Sequence, residues 1–304
     1  MTIASLPTPD AAQYLGELPD GIELLVWDGA GERPPGIERL EFFVGRYDTA
    51  APPTGALEGL PELKVVQLTS AGVEPWLPVV PPGVTLCNGR GVHGASTAEL
   101  AVAGLFALLR DLPGYELARR DHVWERRAAD GVAGRRILVL GAGDIGTHVA
   151  DAVRVFGADV TFVARTARDG VRPLTDLPAL LPEHDVVVLA LPHTAQTHHL
   201  VDAAFLAALP DDSVLVNVAR GGIVDTEALL AELTARRIRA FLDVTDPEPL
   251  PADHPLWDAP GLLLTPHVGG GTAGWPRRAY RLVREQLLRF HAGEPLHNVV
   301  AHGY

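Results

Sequence analysis

The feature that most constrains the fold is a run from Ile137 to Gly146, in which an apolar strand pattern meets a glycine-rich turn. Ile137–Leu140 is a continuous apolar run, which is typical of a strand in a parallel sheet covered on both faces. The turn that follows reads Gly141-Ala142-Gly143-Asp144-Ile145-Gly146, and a helical pattern extends from Asp144 to Phe156. Strand, G-x-G-x-x-G and helix in this order predict the first βαβ unit of a dinucleotide-binding domain.

Each glycine of the motif has a predicted physical role. Gly141 permits the tight turn, Gly143 lets the backbone approach a pyrophosphate, and Gly146 lets the helix pack on the strand. The N-terminus of the helix, where Asp144 and Ile145 lie, supplies free N–H groups and a positive dipole to the anion. A plain glycine-rich turn is the alternative, and the strand–turn–helix setting favours cofactor binding.

Strand and helix patterns alternate along the rest of the chain. Apolar, β-branched runs predict strands at Ile22–Trp27, Leu63–Leu68, Val160–Val163, Asp185–Ala190, Val214–Val218, Ala240–Val244 and Leu262–Thr265. Helical patterns span Thr97–Arg110 and Thr226–Ala235, and we expect Ser96 with Glu99 to form a capping box at the start of the first. This alternation predicts an α/β fold with parallel sheets.

Length and charge limit the classes of function. A chain of 304 residues exceeds what one core usually holds, so we expect two domains. The net charge of −13 argues against partners with phosphate backbones or anionic lipid, and we predict neither nucleic acid nor membrane binding. The single cysteine, Cys87, excludes an intrachain disulfide and a multi-cysteine metal site. With no signal-type N-terminus, a cytoplasmic location is expected.

The residues after the strand Val160–Val163 bear on the choice of cofactor. An NAD site usually has an acidic residue at the end of this strand to bind the adenosine ribose. Here Ala164 holds that position, and the basic and hydroxyl side chains of Arg165, Thr166 and Arg168 follow. Arginine beside a hydroxyl suits a 2′-phosphate, so we predict NADP, with NAD possible. The alternative is a solvated loop with chance arginines.

Three separated residues form a candidate catalytic set. Arg220 follows one predicted strand, Glu248 follows the next, and His267 follows a third. Arginine would bind a substrate carboxylate and polarise a neighbouring carbonyl, histidine would donate a proton, and glutamate would keep the imidazole protonated. Singly, each has a structural alternative: a salt bridge, an exposed loop residue, or a core histidine. Together on one dinucleotide-binding domain they favour reduction of a 2-keto acid.

The chain resembles the D-specific 2-hydroxyacid dehydrogenases from about Leu63 onward. Four ordered segments carry the resemblance after the glycine loop: Leu191-Pro192-His193-Thr194-Ala195-Gln196-Thr197, Asn217-Val218-Ala219-Arg220-Gly221-Gly222-Ile223-Val224-Asp225, Leu242-Asp243-Val244 running to Glu248-Pro249, and Leu264-Thr265-Pro266-His267. The resemblance implies that Arg220, Glu248 and His267 are the catalytic triad. It also implies two Rossmann-like domains, with the cofactor domain (98–270) inserted into a flavodoxin-like substrate domain (1–97 plus 271–304). The substrate domain includes a returning C-terminal helix, Trp275–His291, and the expected assembly is a homodimer paired through the cofactor domains.

The resemblance assigns further binding residues. Cofactor contacts are implied for the glycine loop, the arginine loop and a dispersed set: Thr97, Leu191, Pro192, Thr197, Val218, Ala219, Asp243, His267 and Gly270. Asp243 is expected to meet the nicotinamide amide. The backbone around Ala71 and Gly72 matches the family loop that holds the substrate carboxylate, with Arg220 and His267 completing the substrate site. No metal is implied.

Several interpretations remain open at this stage. The arginine loop resembles that of NADP-using glyoxylate and hydroxypyruvate reductases, which makes a 2-keto acid/2-hydroxy acid oxidoreductase the first hypothesis. An NAD-dependent phosphoglycerate-type dehydrogenase and a dinucleotide-sensing corepressor on the same fold are the alternatives. Trp76 and Trp275 could each be a wall of the substrate pocket or a core residue. The identity of the 2-keto acid is left open.

Overall fold

The computed structural model describes residues 1–47 and 55–300, which divide into two compact units. Unit 1 consists of residues 1–93 and 271–304, and unit 2 consists of residues 94–270. Each unit is an α/β structure built on one fully parallel sheet. Within the described residues, no helix is both long enough and apolar enough to cross a membrane.

Unit 1 contains a five-stranded sheet in the order β2-β1-β3-β4-β5. Its strands are β1 (Thr2–Leu6), β2 (Ile22–Val26), β3 (Phe42–Val44), β4 (Val65–Gln67) and β5 (Thr85–Cys87). Short 3-10 turns cover Pro9–Tyr14, Ile37–Arg39 and Glu74–Trp76, and the long helix of this unit is α7 (Trp275–His291). The strand order 2-1-3-4-5 is that of flavodoxin-like folds, as predicted.

Alternation along the strands of unit 1 gives the sheet two apolar faces. Phe42 and Val44 pack with Tyr280 and Leu287 of helix α7. Phe43, between them, points to the opposite face, where it packs in a separate cluster with Trp27 and Trp76. A parallel sheet covered on both faces explains the apolar composition of its strands.

Unit 2 contains a seven-stranded sheet in the order β12-β11-β10-β9-β6-β7-β8. Its strands are β6 (Arg136–Leu140), β7 (Asp159–Ala164), β8 (Val171–Pro173), β9 (Val186–Leu189), β10 (Val214–Asn217), β11 (Arg239–Leu242) and β12 (Leu262–Leu264). Its α-helices are α1 (Gly94–Leu109), α2 (Leu112–Arg120), α3 (Asp144–Val155), α4 (Leu177–Leu180), α5 (Ala203–Ala207) and α6 (Thr226–Thr234). Short 3-10 turns lie at Leu174–Asp176, Leu181–Glu183, Gly221–Ile223 and Pro255–Asp258.

The strand order of unit 2 fixes where a ligand can bind. Read from β8, the order is 3-2-1-4-5-6 with β12 added, which is the dinucleotide-binding arrangement. Ile137 and Val139 of β6 pack towards α1 and α3, whereas Leu138 and Leu140 pack into the core on the opposite face. The order reverses between β6 and β9, so the ligand crevice lies beyond the carboxyl ends of these two strands.

The structure confirms the predicted α/β fold and corrects one local detail. Helix α1 begins at Gly94 rather than Thr97, so Ser96 lies inside the first turn and the predicted capping box with Glu99 is wrong. A Cβ atom at Gly94 would lie 1.9 Å from Oδ2 of Asp144, so glycine at the first position of α1 allows close packing against the start of α3. Sequence pattern alone does not reveal such a contact.

Candidate functional site

The glycine loop lies at the point where the strand order of unit 2 reverses. Gly141 has a φ of +112°, and a Cβ atom there would lie 2.2 Å from the carbonyl oxygen of Ala190, directly after β9. A Cβ atom at Gly146 would lie 1.9 Å from the carbonyl oxygen of Gly141. Both positions therefore require glycine, for a close approach between backbone segments.

Gly143 differs from the other two glycines because a Cβ atom there would meet no atom within 4 Å. The space beside it is open, and helix α3 begins at the next residue, Asp144. Open space beside a helix N-terminus fits a pyrophosphate group. The Asp144 side chain is directed towards Gly94 and lies 3.3 Å from Nδ1 of His148, and Ile145 packs against the core between α1 and the sheet.

The arginine loop after β7 is tied to the glycine loop. Nη2 of Arg168 donates a hydrogen bond of 2.8 Å to the carbonyl oxygen of Ala142, inside the glycine motif. Arg165 and Thr166 are exposed on the same loop, and strand β7 ends in Ala164 without an acidic side chain. Arg172 instead pairs with Asp176 at 2.6 Å. The loop thus keeps its basic character next to the expected phosphate site.

A hydroxyl group shapes the loop after β9. Oγ1 of Thr197 donates to the carbonyl oxygen of Pro192 and accepts from the N–H of Thr194, each at 2.7 Å. Leu191 is buried at the start of this loop, and Pro192 is exposed. Thr197 therefore stabilises the loop by bonding two of its backbone groups. Its contact with the cofactor stays a prediction.

The turn that carries Arg220 is built by the last residue of β10. The side chain of Asn217 accepts from the N–H of Ala219 and donates to the carbonyl oxygen of Arg220, both at 3.0 Å. Val218 and Ala219 are buried, so packing in the core also holds this turn in place. A Cβ atom at Gly221 would lie 1.9 Å from the carbonyl oxygen of Thr245, which brings this turn against the segment that leads to Glu248.

His267 and Glu248 form an ion pair. Nδ1 of His267 lies 2.5 Å from Oε1 of Glu248, and both side chains are partly exposed. The hydrogen bond to Glu248 raises the pKa of His267, although burial and the charge of Arg220 act in the opposite direction. Burial opposes ionisation of Glu248, yet the hydrogen bond to His267 and the charges of His267 and Arg220 lower its pKa overall. The three predicted catalytic residues thus meet in one electrostatic cluster.

Asp243 holds the backbone turn on which His267 sits. Its Oδ1 accepts from Oγ1 of Thr265 at 2.6 Å and from the N–H of Val268 at 2.9 Å, and its Oδ2 accepts from the N–H of Gly269 at 2.9 Å. The N–H of His267 also donates to the Asp243 carbonyl oxygen at 2.7 Å. These bonds enclose a residue with a φ of +53°, a left-handed conformation that costs free energy outside glycine.

The predicted cofactor role of Asp243 competes with hydrogen bonds that its side chain already makes. The side chain is buried and already accepts three hydrogen bonds, so its first function is to shape the turn before Gly270. Contact with a nicotinamide amide stays a prediction. Thr97 is also buried, and it lies beside this turn, since a Cβ atom at Gly269 would be 3.2 Å from its Cγ2.

In unit 1, the carbonyl groups of the loop after β4 all accept hydrogen bonds from within this unit. The carbonyl oxygen of Thr69 accepts from Nε2 of His93 at 3.0 Å, and that of Ser70 accepts from the N–H of Gly89 at 2.6 Å. Two further bonds run from Nδ2 of Asn88 to the Ala71 carbonyl and from Oγ of Ser70 to the Gly72 carbonyl, both at 3.1 Å. Hydrogen bonds to four consecutive carbonyl groups fix the backbone of this loop. A fixed backbone suits a loop whose N–H groups bind an anion.

The two tryptophans singled out from the sequence have different surroundings. Trp76 is only 3% exposed and packs in the core beside Phe43, which favours its structural role. Trp275 is partly exposed at the first residue of α7, and its ring centroid lies 4.5 Å from that of Tyr47. Tyr47 in turn stacks on His93 at 4.4 Å.

The sequence did not reveal the residues whose side chains hold the backbone of the site in place. Asn217, Asn88 and His93 act through backbone carbonyls and N–H groups, and their partners are up to 24 residues away. Only the position of Asn217 at a predicted strand end could have indicated its role. Among the described residues, no group of three or more His, Cys, Asp or Glu side chains is placed to hold a metal ion.

Comparison with known proteins identifies the family. Residues 102–269 match the family described as D-isomer specific 2-hydroxyacid dehydrogenase, NAD binding domain. A D-3-phosphoglycerate dehydrogenase of Mycobacterium tuberculosis is 34% identical over 249 residues, which are 78% of this chain and 47% of that protein. A hydroxypyruvate reductase of Thermotoga maritima is 32% identical over 220 residues, which are 68% of this chain and 70% of that protein.

A solved structure gives the same result over the whole chain. The D-isomer specific 2-hydroxyacid dehydrogenase of Xanthobacter autotrophicus, determined with NADPH and MES, is 30% identical with a TM-score of 0.86. The match covers 99% of this chain and 98% of that one. By contrast, the chain spans about half the length of the phosphoglycerate dehydrogenases it matches, 47% for the mycobacterial protein. The matched domain and the matched fold together show that the chain belongs to the D-isomer-specific 2-hydroxyacid dehydrogenase family.

Proposed function

We propose that this protein reduces a 2-keto acid to the D-2-hydroxy acid with NADPH. The observation that carries the proposal is the 2.5 Å pair between His267 and Glu248, placed within the electrostatic reach of Arg220. A histidine kept protonated by a carboxylate, beside an arginine, is what proton donation to a carbonyl next to a carboxylate requires. Unit 2 is the proposed cofactor domain and unit 1 the proposed substrate domain.

Arg220, His267 and Glu248 each have a separate role in the proposed reaction. The Arg220 guanidinium binds the substrate carboxylate and polarises the keto oxygen, since its planar fork can engage two oxygens. His267 engages Glu248 through Nδ1, so Nε2 is the nitrogen that gives its proton to the keto oxygen. Glu248 stabilises the imidazolium before transfer and receives no proton itself. When bound, the nicotinamide cofactor supplies the hydride that reduces the keto carbon.

The choice of NADPH rests on the arginine loop. Strand β7 ends in Ala164, which has no carboxylate to repel a 2′-phosphate, and Arg165 and Thr166 are exposed beside it. Arg168 is fixed to the glycine loop at Ala142, so its charge stays near the phosphate site. The Xanthobacter relative was solved with NADPH, which supports the same choice. NAD remains a weaker second cofactor in this proposal.

In unit 1, the proposed substrate contact is the loop at Ala71 and Gly72. Three carbonyl groups of this loop accept hydrogen bonds from residues 88–93, which fixes the loop that would hold the substrate carboxylate. Glyoxylate and hydroxypyruvate are the first substrates to test, because the Thermotoga relative is a hydroxypyruvate reductase.

The proposed assembly is a homodimer paired through unit 2. Apolar side chains are exposed on and after helix α2: Leu112, Leu117, Val123 and Trp124, the last of them 96% exposed. Exposed apolar side chains in one segment favour an interface there, and a second copy of this chain is the occupant the family resemblance implies. Light scattering of Trp124→Glu should show monomers where the unaltered protein is dimeric. A cytoplasmic location stays a prediction from the sequence.

Oxidation of NADPH, followed by absorbance with glyoxylate or hydroxypyruvate, tests the proposed function. His267→Ala should reduce turnover by about 10²–10⁴-fold, the usual contribution of an acid–base group, and leave NADPH affinity nearly unchanged. His254→Ala is a matched control, because His254 caps a 3-10 turn and is not among the groups that shift the pKa of His267 or Glu248. NADPH binding without turnover of any 2-keto acid would favour a cofactor-sensing protein and contradict the proposal.

A further inference from the structure

Two glutamine side chains are buried in unit 1, between the sheet and helix α7. Gln67 is the last residue of β4 and Gln286 belongs to α7, and each is 0% exposed. The side chains packed on this face of the sheet are otherwise apolar, among them Val65 and Leu287. A buried amide costs free energy unless its polar groups are bonded, so two of them in an apolar layer indicate a role for their hydrogen bonds.

The amide nitrogens of this glutamine pair each donate two hydrogen bonds. Nε2 of Gln286 donates to Oε1 of Gln67 at 2.9 Å and to the carbonyl oxygen of His297 at 2.7 Å. Nε2 of Gln67 donates to the carbonyl oxygens of Leu68 at 2.8 Å and Asn88 at 3.2 Å. Oε1 of Gln286 in turn accepts from the N–H of His297 at 2.9 Å. The pair thus connects helix α7, strand β4 and the backbone at positions 88 and 297.

Asn88 connects the glutamine pair to the proposed carboxylate loop. Its backbone is bonded on both sides, because its carbonyl oxygen accepts from Gln67 and its N–H donates to the carbonyl oxygen of Asn298 at 3.1 Å. Its side chain then donates from Nδ2 to the carbonyl oxygen of Ala71 at 3.1 Å. A continuous series of hydrogen bonds therefore runs from Gln286 in helix α7 to the loop at Ala71.

We propose that Gln67 and Gln286 are positioning residues for the substrate carboxylate. They act through Asn88 on the loop at Ala71 and Gly72, and they touch neither the substrate nor the cofactor. The proposal rests on the proposed function, in which this loop holds the carboxylate. Because the carboxylate keeps its charge throughout the reaction, a displaced loop weakens binding of the substrate and of the transition state alike. Loss of the pair should therefore raise KM and leave kcat nearly unchanged.

Methionine substitutions provide the test, since methionine keeps the length of glutamine without its hydrogen bonds. In Gln67→Met, assayed with NADPH and either glyoxylate or hydroxypyruvate, KM for the 2-keto acid should rise about tenfold, which corresponds to about 1.4 kcal/mol. Gln286→Met leaves the bond from Gln67 to Asn88 in place and should raise KM by a smaller factor. Val283→Ala is the matched control, because it removes a buried apolar group from the same helix and should lower stability without changing KM.

A double-mutant cycle tests whether the effect passes through Asn88. Residues in one hydrogen-bond network have non-additive effects, whereas independent residues have effects that add in free energy and multiply in KM. The variant Gln67→Met with Asn88→Ala should therefore have a KM within about twofold of the larger single effect. Hydrogen exchange gives a readout without substrate, because the amides of residues 69–72 should exchange faster in Gln67→Met than in Val283→Ala.

The outcomes separate the positioning role from the proposed function. An unchanged KM in a folded Gln67→Met protein, or a KM in the double variant equal to the product of the single effects, would overturn the positioning role while leaving the reductase intact. An equal rise of KM in Val283→Ala would overturn it too, because general instability would then explain the effect. If Gln67→Met does not fold, an unchanged KM in Gln286→Met overturns the role. Failure of the unaltered protein to reduce any 2-keto acid would overturn the proposed function as well.

Discussion

Replacing Asp243 by asparagine tests whether this residue positions the proton donor or binds the cofactor. The carboxylate accepts from Thr265 and Val268 through Oδ1 and from Gly269 through Oδ2. An amide has one oxygen and one NH₂ group, so it cannot accept on both sides. In Asp243→Asn, either the N–H of Gly269 or the two donors at Oδ1 would face an NH₂ group.

The structure gives the size of the expected effect. A buried donor left without an acceptor costs about 1–3 kcal/mol, and the left-handed conformation of His267 costs a similar amount that these bonds offset. We expect the free energy of unfolding to fall by about 2 kcal/mol. If the catalytic position of His267 becomes less favourable by about 1.4 kcal/mol, turnover should fall about tenfold.

The charge of Asp243 adds a second readout. The hydrogen bond to Glu248 is the main cause that raises the pKa of His267, and the negative charge of Asp243 contributes in the same direction. Ketone reduction needs the protonated imidazole, so activity is lost as pH rises through this pKa. Asp243→Asn should therefore move the upper pH limit of reduction downward, which a change in fold stability alone would not do.

The assay compares kcat, the pH profile and the NADPH dissociation constant for Asp243→Asn and Asp202→Ala. Asp202 caps helix α5 through the N–H of Phe205, and its loss should cost about 0.5–2 kcal/mol of stability with no effect on the pH profile. For Asp243→Asn we expect slow turnover with NADPH affinity within about threefold of the unaltered protein. Near-normal turnover, or a loss confined to NADPH affinity, would refute the positioning role.

Three further variants address the other parts of the site. Glu248→Gln removes the main cause of the raised pKa of His267, so the upper pH limit of ketone reduction should move downward in a pH–rate profile; an unmoved limit would exclude the pair as the titrating unit. Arg220→Lys should raise KM for 2-keto acids and lower kcat, because lysine lacks the bidentate fork, and unchanged steady-state kinetics would contradict its anchoring role. The double change Ala164→Asp with Arg165→Ala should reverse an NADPH preference of about tenfold or more, as measured by titration of both reduced cofactors. Tighter binding of NADH by the unaltered protein would show that the arginine loop does not select NADPH.

The fold of unit 2 could be predicted because its signals are local. Ile137–Leu140 and the glycine motif fix a strand, a turn and a helix start within a few residues, and the structure places all three as expected. The bounds of helix α7, Trp275–His291, came instead from the family resemblance, and the structure agrees with them. Short strands such as Phe42–Val44 escaped prediction, because three apolar residues have no detectable period.

The site was predictable only as far as its chemistry resides in residue types. Arginine, glutamate and histidine after strand ends indicate a reaction, and the structure does bring Glu248 and His267 together. The residues that shape the backbone beneath them were not predictable in that role. Asp243 was assigned to the cofactor because of its position in a motif, whereas its three hydrogen bonds depend on a turn formed 22 to 26 residues later.

The opposing effects on the pKa of His267 imply that substrate binding helps to keep the proton donor protonated. The hydrogen bond to Glu248 raises the pKa of His267, whereas the positive charge of Arg220 lowers it. A substrate carboxylate bound to Arg220 compensates that positive charge, so the pKa of His267 should rise when the substrate is present. The pH profile of kcat/KM reports the free enzyme and that of kcat reports the complex. We therefore expect the upper limit of kcat to lie at higher pH than that of kcat/KM, and coincident limits would show that Arg220 does not bind the carboxylate beside His267.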